Sequence, residues 1–248
     1  MNTPPIIFIV GSPRSGTTWV LDLISGHPDT VHATMANLGL PVTGKSKETG
    51  IFMKGLSDQE IIDRFSGLAK ENPCKTIVEK TPLHVFHISR VRQLFPQSFI
   101  ICTIRDGRDV VVSMLEARKT FWRHGPTTVI DAARLWAQSS LAGVKAAAEM
   151  LKFPGERQSV YLVEYEDLVR DAVAETKKIF TLFRLSECNV EQIVSDFEKG
   201  KKIDIPGVFR KGKIGDWKTY MSIEDKKTFK TVAQTTLQSL GYVSDDQW

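Results

Sequence analysis

Cysteine is scarce in this chain of 248 residues, which has three: Cys74, Cys102 and Cys188. So few thiols exclude a disulfide-stapled scaffold, their spacing fits no metal site, and they read as structural residues of a reducing compartment. Long apolar runs are missing too. No segment approaches the roughly 18 consecutive apolar residues of a membrane-spanning helix, so no stable membrane insertion is expected. Met1 to Pro5 lack a signal-peptide pattern and lead straight into an apolar run, which makes a cytoplasmic location the expectation unless an anchor has been trimmed away. Neither sign of charge dominates. With 33 Lys and Arg against 29 Asp and Glu the formal net charge is +4, and no basic stripe is interleaved with aromatics, so nucleic acid is not an expected partner. Internal repeats and low-complexity tracts are absent, and the sequence is silent on oligomeric state.

What is present suits one globular α/β domain spanning residues 1–248, at 42% hydrophobic and 25% charged. β-like runs occur at Ile6–Val10, Thr76–Val78, Ser98–Ile104 and Ser159–Val163. Helical periodicity is clearest over Thr17–Ser25, Val85–Leu94, Asp109–Ala117, Val129–Leu151, Ala172–Phe183, Val190–Glu198 and Ile223–Leu240. This alternation predicts a central parallel β-sheet flanked by helices. Gly39–Gly50, Phe153–Gln158 and Gly200–Gly215 read as loops, and ligands of such sheets bind beyond the carboxyl ends of the strands.

Three segments carry chemistry. In the first, Phe8 to Val20 (FIVGSPRSGTTWV), an apolar run breaks into a Gly/Ser/Thr loop and then a helical stretch. Its glycines are spaced as in a Walker A loop, where backbone N–H groups and a helix N-terminus converge on anionic oxygens. The Walker lysine is missing. Thr17 stands in its place and the cation has moved inside the loop to Arg14, so the ligand should be a phosphate ester presented differently from ATP. The second segment, Ser98 to Ser113 (SFIICTIRDGRDVVVS), repeats the strand, turn and helix, with Arg105 at the strand end and Ser113 eight residues on. An Arg fork suits a phosphate dianion, although Asp106, Arg108 and Asp109 could simply pair with one another. The third, Arg210 to Lys218 (RKGKIGDWK), packs four cations and two glycines, and reads either as an anion-binding loop or as a solvated basic one.

Residues Pro13 to Thr18 resemble the 5'-phosphosulfate loop of sulfotransferases that use 3'-phosphoadenosine-5'-phosphosulfate (PAPS), commonly Pro-Lys/Arg-Ser-Gly-Thr-Thr. The likeness runs in order from Gly11 to Lys218, most of the chain. It implies the P-loop nucleotide-kinase-like sulfotransferase fold. It further implies PAPS as donor, adenosine 3',5'-bisphosphate (PAP) as product, and no required metal. Pro13, Arg14, Ser15, Gly16, Thr17 and Thr18 would hold the 5' end. Arg105 and Ser113 would bind the 3'-phosphate with Arg210, Lys211 and Gly212 over it, and the Gly215-Asp216-Trp217 part would anchor that last loop. Trp19 and Tyr165 match positions around adenine, though Trp19 could equally be core and Tyr165 the start of a capping turn.

Glu79, in the string Glu-Lys-Thr-Pro, resembles the base-bearing glutamate of heparan-type and several bacterial sulfotransferases, with Lys80 beside it to hold the sulfonate or the leaving oxygen. A strand-end ion pair is the plain alternative. Arg14 joins the catalytic set as a cation for the departing phosphate oxygen. His84 is the rival base, since cytosolic members place a histidine after Lys-Thr; here Pro82 takes the nearest position. His84 and His87 lack a third metal ligand.

The acceptor is the least legible part. Leu38, Leu40, Phe52, Met53, Phe121 and Trp122 would suit a small-molecule or lipid-like hydroxyl, whereas Lys45, Lys47, Arg118, Lys119 and Arg123 would suit an anionic glycan. Two other classes fit the loop: a P-loop kinase or NTPase acting on ATP, and a non-catalytic adenosine-phosphate-binding protein.

Overall fold

The structure is a computed structural model that describes residues 6–42, 46–73, 75–150, 160–200 and 213–248. Five strands, β1 (Ile6–Gly11), β2 (Thr30–His32), β3 (Thr76–Lys80), β4 (Phe99–Ile104) and β5 (Val160–Glu164), pair in parallel in the order β2-β3-β1-β4-β5. The parallel sheet expected from the alternation is therefore present, flanked by helices. β1 is central and every residue of it is buried, which is why its sequence is a continuous apolar run and not an alternating one.

Side chains of β1 alternate between the two faces. Ile7 and Ile9 enter a cluster with Trp19, Leu23, Ile179 and Val194 from α1 (Thr17–Ser25), α7 (Ala172–Leu182) and α8 (Val190–Gly200). Ile6, Phe8 and Val10 face the other layer, with Ile61, Phe65, Val91 and Ala146 from α2 (Asp58–Glu71), α3 (Ile88–Leu94) and α5 (Val129–Met150). Phe8 sits at the centre of an aromatic group there, 5.9 Å from Phe52 and 5.8 Å from both Phe65 and Phe95. A third cluster around Trp136 and Phe229 joins α5 to α4 (Gly107–Thr120) and α10 (Ile223–Ser239). The short helices α6 (Tyr165–Arg170) and α9 (Trp217–Tyr220) and two 3-10 turns, Ile51–Met53 and Pro82–His87, complete the described elements. Among the described residues, no helix is long and apolar enough to cross a membrane.

The short helices α6 and α9 escape the sequence reading, and so do α2 and β2. Helix α2 has a legible start: Ser57 accepts from the Glu60 amide and the Glu60 carboxylate accepts from the Ser57 amide. Ile61, Phe65 and Leu68 then bury one face, so the Ser-x-x-Glu signature and the spacing of apolar residues were both available. Strand β2 had no such signal. Three residues at a sheet edge become a strand only because Thr30, Val31 and His32 find Thr76, Ile77 and Val78 beside them. The expected loops at Phe153–Gln158 and through most of Gly200–Gly215 lie outside the described residues.

Candidate active site

β1 delivers the chain to its carboxyl end in the middle of the sheet, and the loop expected to cradle phosphate follows at once. Ser15 fastens this loop in two directions. Its amide and hydroxyl both donate to the Ser12 carbonyl, at 3.1 and 2.5 Å, and the hydroxyl shares a 2.7 Å hydrogen bond with Thr103 on β4. Arg14 at φ 73° and Gly16 at φ 97° then turn the backbone through the left-handed region, costly for Arg14 and natural for Gly16. A side chain on Gly16 would also collide with Tyr165, since a Cβ there would lie 2.6 Å from its ring. Gly16 is the N-cap of α1, so no side chain caps this helix and its first turn holds no acidic residue. The helix amides and the positive end of the dipole are left for an external anion.

The turn after β4 is arranged otherwise. Asp106 caps α4 through the Arg108 amide at 2.9 Å and pairs with the Arg108 guanidinium at 2.7 Å. That guanidinium lies 4.1 Å from the Trp217 ring and 4.7 Å from Trp248. Asp109 does not join the pairing. It accepts from the amides of Gly215 and Trp217 at 2.7 and 2.9 Å, while burial pushes its carboxyl above the ordinary aspartate range. The Gly-Asp-Trp stretch is thereby tied to the start of α4. Trp136 approaches so closely that a Cβ on Gly107 would lie 2.4 Å from its ring, and its indole N–H donates to the Arg105 carbonyl at 3.1 Å.

Arg105 and Ser113 come together with Arg14 from the first loop. Arg105 donates to the carbonyls of Arg14 and Lys213, both at 3.2 Å, and lies 4.1 Å from the Tyr165 ring. Its Nε is buried without a hydrogen-bond partner among the described residues. Arg14 Nε donates to Ser113 Oγ at 3.2 Å. Arg210, Lys211 and Gly212 lie outside the described residues; of their neighbour Lys213, the backbone carbonyl accepts from Arg105. Trp19 and Tyr165 meet edge to face at 5.6 Å, and Trp19 stacks on Phe197. Each is 6% exposed, which makes both part of the core beneath the loop.

The two candidate bases turn out to be partners. Glu79 and His84 are completely buried, with His84 Nδ1 3.0 Å from Glu79 Oε2. The hydroxyls of Thr49 and Thr81 both donate to Glu79 Oε1 at 2.7 Å. The Phe52 amide points at His84 Nε2 from 3.4 Å, which leaves Nδ1 to donate to the carboxylate. Burial is the largest influence on Glu79 and acts to raise its carboxyl. His84 and the hydrogen bonds from His84, Thr49 and Thr81 outweigh it, holding the group below the usual glutamate range. Lys80, 2% exposed, is not paired with Glu79: its ammonium lies 2.9 Å from Glu48 Oε1. Thr49 and Glu48 were not legible as site residues, because they are brought to β3 only by the path of residues 46–50.

The apolar residues expected around an acceptor divide. Leu38, Leu40 and Phe52 are core residues at 2%, 6% and 3% exposure, a correction that follows from their packing with Phe8 and Phe65. Met53 and Phe121 are exposed, Phe121 with the Arg14 guanidinium 5.2 Å from its ring. Lys45 lies outside the described residues. Among those described, no group of three or more His, Cys, Asp or Glu is placed to hold a metal ion.

Comparison with known proteins gives consistent results. A family model described as "Sulfotransferase domain" matches residues 4–241. A putative protein-tyrosine sulfotransferase of Caenorhabditis briggsae is 26% identical over 188 residues, 72% of this chain and 65% of the relative. Protein-tyrosine sulfotransferase A of Caenorhabditis elegans is 25% identical over 192 residues, again 72% of this chain and 49% of the relative. The chain thus spans less than two thirds of the length of either. Among solved structures, mouse sulfotransferase SULT7A1 complexed with PAP superposes with a TM-score of 0.63 at 18% identity, covering 98% of this chain and 90% of the mouse one. That likeness is one of fold.

Proposed function

The chain belongs to the sulfotransferase domain family, and from that premise we propose that it transfers the sulfuryl group of PAPS to a hydroxyl, releasing PAP. The observation that carries this reading is a pair of features suited to anions at the ends of neighbouring strands. One is the uncapped N-terminus of α1 behind Gly16, and the other is the meeting of Arg14, Arg105 and Ser113. A donor with one anionic group at each end of its ribose suits two separate sites, whereas the contiguous phosphates of ATP would need the lysine that Thr17 replaces. Arg105 Nε, buried without a hydrogen-bond partner among the described residues, supports this reading as a donor group that such a ligand could satisfy.

In this reading the loop from Pro13 to Thr18 holds the 5' end through its amides and the start of α1. The donor itself supplies the activated sulfuryl group. Arg14 and Lys80 neutralise charge on the leaving phosphate oxygen, a role magnesium often fills in phosphoryl transfer, where the moving group is more highly charged. Trp19 and Tyr165 form the floor beneath adenine. Glu79 keeps His84, Thr49 and Thr81 in one arrangement at the end of β3, because its oxygens are already engaged and no surface of it is open to an acceptor. The acceptor is a small-molecule or lipid-like hydroxyl that meets the exposed Phe121 and Met53, and the names of the curated relatives put tyrosine phenols in the same screen.

Calorimetric titration of the protein with PAP and with ATP, each with and without magnesium, tests the donor assignment. Metal-independent binding of PAP in preference to ATP is the expected result. Preference for magnesium-ATP would put a P-loop kinase in its place.

A further inference from the structure

We propose that Glu48, not Glu79, is the base that takes the acceptor proton, an inference that rests on the sulfotransferase reading above. Consecutive strand residues point to opposite faces. Val78 packs in the cluster that includes Trp19 and Val20 of α1, whereas Ile77 packs with Phe52 and Val85 in the opposite layer. Lys80 therefore shares the face of α1, and Glu79 points into the layer behind the sheet. Lys80 is the last residue of β3 and lies in register with Ile9, just before β1 runs out into the phosphate loop. The carboxylate paired with Lys80 is Glu48, whose Oε1 is 2.9 Å from the Lys80 ammonium. Its side chain is 44% exposed.

Glu48 is also fixed in place, which a base requires. Lys47 before it donates to the Asp22 carboxylate on α1 at 2.8 Å. Thr49 after it donates to Glu79, and the Gly50 amide donates to Thr81 Oγ1 at 3.1 Å. Its own amide donates to Ser46 Oγ at 3.0 Å. The buried Glu79 group is thus the fastening that holds the segment carrying Glu48, and Glu79 is a positioning residue.

The step balances without a further reactant. The acceptor oxygen forms a bond to sulfur as the bond from sulfur to the 5'-phosphate oxygen breaks, and that bonding pair stays on the phosphate of departing PAP beside Lys80. The hydroxyl proton passes to the Glu48 carboxylate and then to water. The products are the sulfate ester and PAP.

The test compares the wild-type protein with Glu48→Gln in PAP titration and in transfer of label from ³⁵S-labelled PAPS to 2-naphthol, to a tyrosine peptide and to water. Glu48→Gln should bind PAP within about threefold of wild type and lose roughly a hundredfold or more in kcat, with little change in KM for the donor. Glu48→Gln turning over within about threefold of wild type would overturn the proposal. So would a wild-type protein that binds PAP and transfers label to none of the probes. Failure of the wild-type protein to bind PAP would instead remove the sulfotransferase reading beneath it.

Discussion

The turns after β1 and β4 share a plan, a buried strand that breaks into a short polar turn and then a helix, and they lie side by side at the same end of the sheet. They end in opposite electrostatic states. The α1 turn contributes no capping side chain and no acid, and spends Arg14 and Gly16 on left-handed backbone that exposes the helix amides. The α4 turn fills its own N-terminus with Asp106, buries an ion pair beneath two tryptophans, and uses Asp109 to fasten the segment beginning at Lys213. One helix end is capped by no side chain and the other is consumed by the fold. What the second turn offers a ligand comes from its borders, Arg105 and Ser113, and not from its amides. The same local pattern can therefore serve binding or architecture, depending on whether the protein supplies its own carboxylate.

Three substitutions should separate those roles. The largest effect is expected from Asp106→Ala, which uncaps α4 and strands Arg108 without its buried partner. Denaturant unfolding should show a loss of about 3 kcal/mol, with PAP affinity of the folded protein changed by less than about threefold. A variant of normal stability, or one whose principal defect is in ligand binding, would erase the distinction. Gly16→Ala should act in the reverse sense. Left-handed backbone and the contact with Tyr165 cost about 1–2 kcal/mol of stability, while calorimetry should show PAP affinity reduced by roughly a hundredfold as the loop shifts. Undiminished affinity would mean that the anion does not sit on these amides. Ser113→Ala should be the mildest, within about 0.5 kcal/mol of wild-type stability. It should weaken nucleotides bearing a 3'-phosphate by about tenfold and leave adenosine 5'-phosphate untouched. Equal losses for the two ligands would contradict a 3'-phosphate site at Ser113.

Much of the site could be read before folding was considered, and for a physical reason. A strand, the turn at its carboxyl end and the next helix are contiguous, so Pro13 to Thr18 and Arg105 to Ser113 each appear as one string in which glycine positions, apolar runs and cations fall in order. The core strands were legible for the same reason, since burial on both faces makes β1 and β4 continuous apolar runs. Helix α2 escapes that reading although Ser57 and Glu60 carry its capping signature. The short strand β2 escapes it too, because nothing local distinguishes Thr30–His32 from a loop; hydrogen bonding to β3 is what makes it a strand.

The sequence by itself determined the glycine-containing turn between β1 and α1, the absence of a Walker lysine, the parallel sheet and the family. All of these are carried by residues close together along the chain, where spacing alone fixes the geometry. Only the tertiary structure decided which charged groups share a site. Arg14 meets Ser113 across 99 residues and Arg105 meets Lys213 across 108. Glu79 is sealed by Thr49 from 30 residues away, while Lys80 beside it turns to the opposite face and finds Glu48, 32 residues earlier in the chain. Burial decides which carboxylate is engaged by the fold and which stays exposed. Burial belongs to the packed layers, because adjacent residues on one strand face different ones.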